Sequence, residues 1–109
     1  MNILFVCSRN KWRSRTAETI FKGNHNYNIK SAGTEPSAIV KVSAKTILWA
    51  DYIFAMEKKH KQRLLEKFPT ETQNKIIIIL DIEDNYKYMD NELIGIIKLS
   101  VKPYLDDLD

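Results

Sequence analysis

The residue with the most chemistry in this chain is its single cysteine, Cys7, which follows the apolar run Ile3-Leu4-Phe5-Val6 and opens the segment Cys7-Ser8-Arg9-Asn10-Lys11-Trp12-Arg13-Ser14. Arg9, Lys11, Arg13 and Arg15 crowd in directly after it. If the apolar run is a strand and a helix starts near Ser14, the turn between them aims its backbone N–H groups and the positive helix end at one point, a cradle for a doubly charged oxyanion. Arg13 adds a bidentate pair of hydrogen bonds to two phosphoryl oxygens, which a lysine could not match. The same positive surroundings favour the thiolate, the attacking form of cysteine, so that no separate base is needed. Ser14 can donate a hydrogen bond to that sulfur. In isolation, a lone cysteine after an apolar strand also packs as a small hydrophobe, and C-x5-R-S arises by chance. What makes the segment a candidate nucleophile site is its context: strand before, helix after, cations in between.

The elements that would position it can be read from periodicity. Asn2 to Val6 and Ile76 to Leu80 are short apolar runs, read as fully buried strands of a parallel sheet. Tyr27 to Lys30 alternates and reads as an edge strand, and Tyr52 to Met56 as a fourth strand. Helical spacing joins Ala17, Ile20 and Phe21 within Ser14–Lys22, Ala44, Ile47 and Leu48 within Ser43–Ala50, and Leu64, Leu65 and Phe68 within Glu57–Phe68. It also joins Leu93, Ile94, Ile97, Val101 and Leu105 within 91–105. The alternation predicts an α/β, three-layer fold: a four-stranded parallel sheet with helices on both faces and the phosphate loop after the first strand. In such sheets ligands bind just beyond the carboxyl ends of the strands, which is where Cys7 falls.

The 109 residues predict one domain, 1–109, able to bury roughly 65% of its unfolded surface. Apolar residues are 44% and charged residues 28%, an ordinary globular balance that excludes wholesale disorder. No apolar run approaches the roughly 20 residues of a membrane span, and the N-terminus shows no cleavable leader. One cysteine can form neither an internal disulfide nor a multi-thiolate metal site. A cytoplasmic protein with no metal, no cofactor and no membrane partner is the expectation. The net charge of +3 is modest and locally concentrated, whereas a nucleic-acid binder spreads its cations along a face and interleaves aromatics. A small anion is the better partner, and nucleic acid is not expected. The chain closes on Asp106, Asp107 and Asp109.

Val6-Cys7-x5-Arg13-Ser14 followed by Ala17-Glu18 and Ile20-Phe21 resembles the opening of the low-molecular-weight protein tyrosine phosphatases. Ser31-Ala32-Gly33-Thr34 is similar to that family's second-strand ending, Ala50-Asp51-Tyr52-Ile53-Phe54-Ala55-Met56 to its third-strand region, and Ile82-Glu83-Asp84-Asn85-Tyr86 to its acid loop. The matches follow the family order over most of the chain. The resemblance implies that Cys7 becomes a phosphocysteine, that Arg13 clamps the transferring phosphoryl group, and that Asn10 and Ser14 brace the loop. It further implies that Asp84 protonates the leaving oxygen and then activates water. Ser8, Arg9, Asn10, Lys11, Trp12, Ser14 and Tyr86 are the candidate substrate-binding residues. The expected substrate is a phosphorylated protein or small aryl phosphate, with inorganic phosphate as product.

Three departures stand out. The chain is shorter than typical members between Thr34 and Ser43, where relatives carry a loop walling the substrate pocket. Asn85 stands where the family has proline. Trp12 occupies the position of a common second cysteine, so a protective disulfide beside the nucleophile is impossible.

Among the remaining acids, Asp90 precedes a strong helical pattern and reads as an N-cap. Asp81 reads as a cap at the strand end or a support for the phosphate loop, and Glu83 as solvated. Tyr86 and Tyr88 either flank an aromatic leaving group or pack the loop onto the body. Trp12 either borders the pocket mouth or covers the first helix. Arg9 and Lys11 attract anions or solvate the loop, Trp49 is packing, and His25 and His60 are read as surface residues. Beside the phosphatase stand three other readings: a phosphate or phosphoprotein-binding module without turnover, an arsenate reductase using an external thiol, and a phosphocysteine carrier. The thioredoxin-linked reductase needs relay cysteines that this chain lacks. Arg13 and Asp84 speak against a carrier, which must keep its phosphoryl group away from water.

Overall fold

The structure, a computed structural model, describes residues 1–105; the acidic end Asp106, Asp107 and Asp109 lies outside the described residues. Asn2–Cys7 forms strand β1, whose side chains alternate between two separate cores. Ile3, Phe5 and Cys7 face one, Leu4 and Val6 the other. The remaining elements are helix α1 (Arg13–Phe21), β2 (Asn28–Gly33), α2 (Ala44–Trp49), β3 (Tyr52–Ala55), α3 (Lys58–Lys67), β4 (Ile76–Ile79) and α4 (Asn91–Val101). All four strands are parallel, in the order β2-β1-β3-β4. The chain therefore reverses its direction of travel across the sheet at β1, which makes the end of β1 the topological switch point.

The layers follow from burial. Ala17 and Phe21 of α1 and Leu93, Ile97 and Val101 of α4 pack on the Phe5 and Phe54 face, where the Phe5 ring stacks on Phe21 at 5.8 Å and on Phe54 at 5.3 Å. Ile47 of α2 and Leu64 of α3 cover Leu4, Val6, Ala32 and Ile53 on the opposite face. This is the expected three-layer α/β sandwich. Among the described residues no helix is long and apolar enough to cross a membrane.

Several details differ from the sequence reading. β4 is an edge strand rather than a fully buried one: Ile76 is 51% exposed and Ile77, Ile78 and Ile79 are half-buried, because among the described residues no strand pairs beyond it. Its run of isoleucines reflects a β-branched surface that fits a pleat as much as burial. Leu48 of α2 (62% exposed) and Leu65 of α3 (43%) fall off the buried stripes: α2, a single turn and a half, buries Ile47 with Trp49 packed half-buried beside it, and α3 buries His60 and Leu64. The last helix stops at Val101 rather than running to 105, although Leu105 still packs into the core through the turn that follows. The cap read at Asp90 falls where expected, and Ser43 caps α2 in the same way. Ser43 Oγ accepts from Thr46 N–H at 3.2 Å, and Asp90 Oδ1 accepts from Glu92 N–H at 2.9 Å and Leu93 N–H at 3.3 Å.

Candidate active site

The turn between β1 and α1 is held from behind. Its carbonyls at Cys7, Ser8 and Arg9 accept from the N–H groups of Thr34 (3.0 Å), Glu35 (2.9 Å) and Ile39 (3.0 Å). In a trans peptide the N–H points opposite to the C=O, so the amides that follow are turned the other way, toward the sulfur and the cavity above it. The Asn10 N–H does reach Cys7 Sγ, at 3.2 Å. Asn10 itself sits at φ 55°, the left-handed region that asparagine tolerates. Gly33 makes the close approach possible: a Cβ there would lie 2.6 Å from the Ser8 carbonyl oxygen and 2.9 Å from the Arg9 carbonyl carbon. The shortened segment after Gly33 thus serves as the backing of this loop.

A directed chain of hydrogen bonds ends on the sulfur. Ser31 Oγ donates to Glu18 Oε1 at 2.6 Å and so accepts from Asn10 Nδ2 at 2.8 Å. The Asn10 amide also donates to Ser14 Oγ at 2.8 Å, which leaves the Ser14 hydroxyl proton for Cys7 Sγ at 3.0 Å, the nearer of its two acceptors, the Ala32 carbonyl lying at 3.5 Å. Cys7 Sγ thereby receives two donors, from Asn10 and Ser14, a pattern suited to negative charge.

Arg13 is a buried cation, 2% exposed. Its Nη1 donates to the Ile82 carbonyl at 2.8 Å and to Glu57 Oε2 at 2.5 Å, while Nε lies 3.5 Å from Asp84 Oδ1. A charge taken out of water needs such partners. Burial pushes the Glu57 carboxyl up, but the Arg13 hydrogen bond and charge outweigh it and hold the group below the usual carboxylate range.

Cys7, Ser8, Arg9, Lys11, Trp12, Arg13 and Asp84 line a cavity of about 260 Å³. Asn10 and Ser14 lie buried behind it, as braces of the loop. Tyr86 is not brought to the cavity; it packs half-buried against the α1–α4 core. Tyr88 is also on the body side, its hydroxyl 2.8 Å from Thr19 Oγ1 and its ring under Arg15. Of the acids in 81–90, Asp84 (55% exposed) faces the cavity, whereas Asp81 and Glu83 border a separate groove with Lys58. Asp90 caps α4. Asn85, in place of a proline, donates through its amide to Glu83 at 2.8 Å. Trp49 is half-buried beneath Lys30. Among the described residues no group of three or more His, Cys, Asp or Glu is placed to hold a metal ion.

The sequence reading missed four neighbours of this site. Glu35 and Lys59 also line the cavity, Glu35 pairing with Arg9 at 3.2 Å on the exposed rim. Glu57 grips Arg13. His60 is fully buried, not a surface residue: its Nδ1 accepts from Glu57 N–H at 3.0 Å and its Nε2 lies 2.9 Å from Ser8 Oγ. Burial, then the Arg13 charge, lower its pKa from 6.5 to about 4, with Glu57 opposing. The signal available in the sequence was the Glu57-x-x-His60 spacing at the start of a helical run, the geometry of a capping box.

No protein-family profile matches the chain, and no curated protein does. Solved structures do. A YwlE arginine phosphatase, in a serine-for-cysteine form with a phosphorylated active-site serine, is 21% identical over 100% of both chains, with a TM-score of 0.72. A low-molecular-weight phosphotyrosine phosphatase of Vibrio cholerae O395 is 21% identical with a TM-score of 0.70, covering 92% of this chain and 89% of its own. The Erwinia amylovora tyrosine phosphatase AmsI is 21% identical with a TM-score of 0.72, covering 91% of this chain and 87% of its own. The fold is that of the low-molecular-weight tyrosine phosphatases.

Proposed function

We propose that the protein is a cysteine-dependent phosphomonoesterase, a short member of the low-molecular-weight protein tyrosine phosphatase family occupying residues 1–109 as one domain. The observation that carries the reading is a sulfur that receives two hydrogen bonds on the floor of a cavity shared with a buried arginine and a carboxylate. The Cys7 thiolate attacks phosphorus, forming the S–P bond as the ester P–O bond breaks. Arg13 and the loop amides hold the equatorial oxygens, where phosphoryl transfer concentrates its charge. Asp84 delivers a proton to the departing oxygen, a contribution of roughly 10²–10⁴ in rate. The resulting carboxylate then takes a proton from water, whose oxygen attacks phosphorus and releases inorganic phosphate and the thiolate. Lys11 and Trp12 at the mouth suit a phosphorylated aromatic group, a phosphotyrosine or small aryl phosphate.

A phosphorylated arginine is the second substrate reading. The YwlE neighbour is an arginine phosphatase, and Glu35 joins Asp84 at this cavity, two carboxylates able to face a guanidinium. The test is Cys7→Ser assayed with aryl phosphate and phosphoarginine. Hydrolysis of the preferred substrate is lost while inorganic phosphate still binds; a variant that keeps turning over either substrate refutes the phosphocysteine route. Phosphate binding by the parent without hydrolysis of any phosphoester or phosphoarginine would instead identify a binding module.

A further inference from the structure

We propose that His60 is a positioning residue for this loop: its Nε2–H fixes the Ser8 hydroxyl as an acceptor, so that Ser8 turns its own proton toward the anion held beside Cys7. The inference rests on the phosphatase reading. Its foundation is the tautomer. Glu57 N–H donates to Nδ1 at 3.0 Å, so Nδ1 carries no proton and the neutral ring bears its single proton on Nε2. The opposite tautomer would set two N–H groups against each other at that distance. Nε2–H therefore donates to Ser8 Oγ, 2.9 Å away. It follows that His60 does not act as a base toward Ser8, and a serine–histidine nucleophile pair is not what this contact is.

The Ser8 oxygen, with one lone pair engaged by His60, has its own proton to place. Ser8 adjoins the nucleophile and lines the cavity, where the acceptors are the sulfur and the oxygens of a bound oxyanion. The ring stays neutral because it is fully buried next to Arg13, with Lys59 and Arg63 also opposing its protonation and Glu57 alone favouring it. One helical turn thus grips both ends of the loop: His60 holds Ser8, and Glu57 holds Arg13. A turn so anchored sets where the donors point, and small errors in that geometry are costly in rate.

The experiment compares His60→Leu, His60→Gln, Ser8→Ala and His60→Leu/Ser8→Ala in the full chain. The measurements are kcat and KM on an aryl phosphate, the affinity for inorganic phosphate, and the thermal midpoint. Losing one hydrogen-bond donor to the anion predicts about a tenfold fall in kcat for His60→Leu and for Ser8→Ala. The double variant falls no further than either single one, and His60→Gln, whose amide can still donate to Ser8, recovers most of the rate. Phosphate affinity follows the same pattern. Additive losses in the double variant, or a Leu variant that loses thermal stability while kcat and phosphate affinity stay at parent values, overturn the proposal. Should His60→Leu fail to fold, the Gln and Ala variants carry the test: a Ser8→Ala protein with parental kcat and phosphate affinity refutes it. If the parent hydrolyses neither phosphoester nor phosphoarginine, the phosphatase reading fails by itself, and the phosphate affinities still decide the role of His60.

Discussion

Gly33→Ala is the substitution whose consequence the geometry fixes most tightly. The added methyl would stand 2.6 Å from the Ser8 carbonyl oxygen, 2.6 Å from Ala38 Cβ and 2.9 Å from the Arg9 carbonyl carbon. Carbon atoms rest at roughly 3.5–4.0 Å, so one side must retreat by about 1 Å. Neither side is free to do so. The loop and the 34–39 segment are joined by the three bonds at 2.9–3.0 Å from Thr34, Glu35 and Ile39, and displacement stretches them together. Overpacking of this kind costs about 1–3 kcal/mol, a drop in thermal midpoint on the order of 10 °C for a domain of this size. The effect on turnover is larger, because the displaced atoms belong to the loop that cradles phosphorus. A misplacement near 1 Å costs roughly 10²-fold, and kcat/KM should fall by about that factor. The assay is aryl phosphate hydrolysis beside a thermal melt, with Gly95→Ala as the control. A Cβ at Gly95 meets nothing within 4 Å, so that variant keeps its activity and gains about 0.5–1 kcal/mol of helix stability. A Gly33→Ala protein that hydrolyses substrate like its parent would refute the claim that this contact sets the loop.

Two further outcomes follow from the site. Asp84→Asn should lower kcat on phenyl phosphate by roughly 10²–10⁴, and far less on an ester whose leaving group needs no proton; equal turnover of phenyl phosphate by variant and parent would take the acid role away from this residue. The lowered pKa of His60 makes stability depend on pH: with about 4 in the folded state and 6.5 unfolded, the unfolded chain binds the extra proton first. Stability from this group is complete above pH 6.5 and is lost as pH falls toward 4, by about 3 kcal/mol at most. Denaturant titrations of parent and His60→Gln across that window should differ in slope, and parallel curves would contradict the buried neutral ring.

The parts of this protein that can be read from its sequence are those specified locally. The strand–turn–helix around Cys7, the caps at Ser43 and Asp90 and the inward stripe of α4 each depend on residues a few positions apart. β4 misled because isoleucines signal a pleated strand without saying how many neighbours it has, and strand order is a property of the whole chain. His60 misled for a related reason. Its spacing from Glu57 marks a helix start, but its burial depends on Ser8, 52 positions away, arriving against it. Tyr86 could not be placed from its own neighbourhood either, since the same spacing lets the ring face the cavity or the core. Glu57 and Glu35 were invisible as site residues because their partners, Arg13 and Arg9, lie 44 and 26 positions from them.

The strand order explains why those missed residues had to come from α3. Helices α1 and α3 lie on opposite faces of the sheet, and β1 and β3 are adjacent. The carboxyl ends of these two strands release the chain side by side, one into the Cys7 turn and the other into Met56-Glu57. The Met56 N–H even donates to the Val6 carbonyl at 2.9 Å, which locks the two exits together. The first residues after β3 therefore meet the flank of the phosphate loop whatever their identity. Apolar residues there would leave Arg13 a buried cation short of a counter-charge. A glutamate followed three positions later by histidine meets both demands: it starts α3, and it supplies an anion for Arg13 and a donor for Ser8. The helix cap and the support of the site are thus one arrangement of side chains, so substitutions at Glu57 or His60 should disturb α3 and the loop together, and substitutions farther along α3, at Leu65 for example, neither.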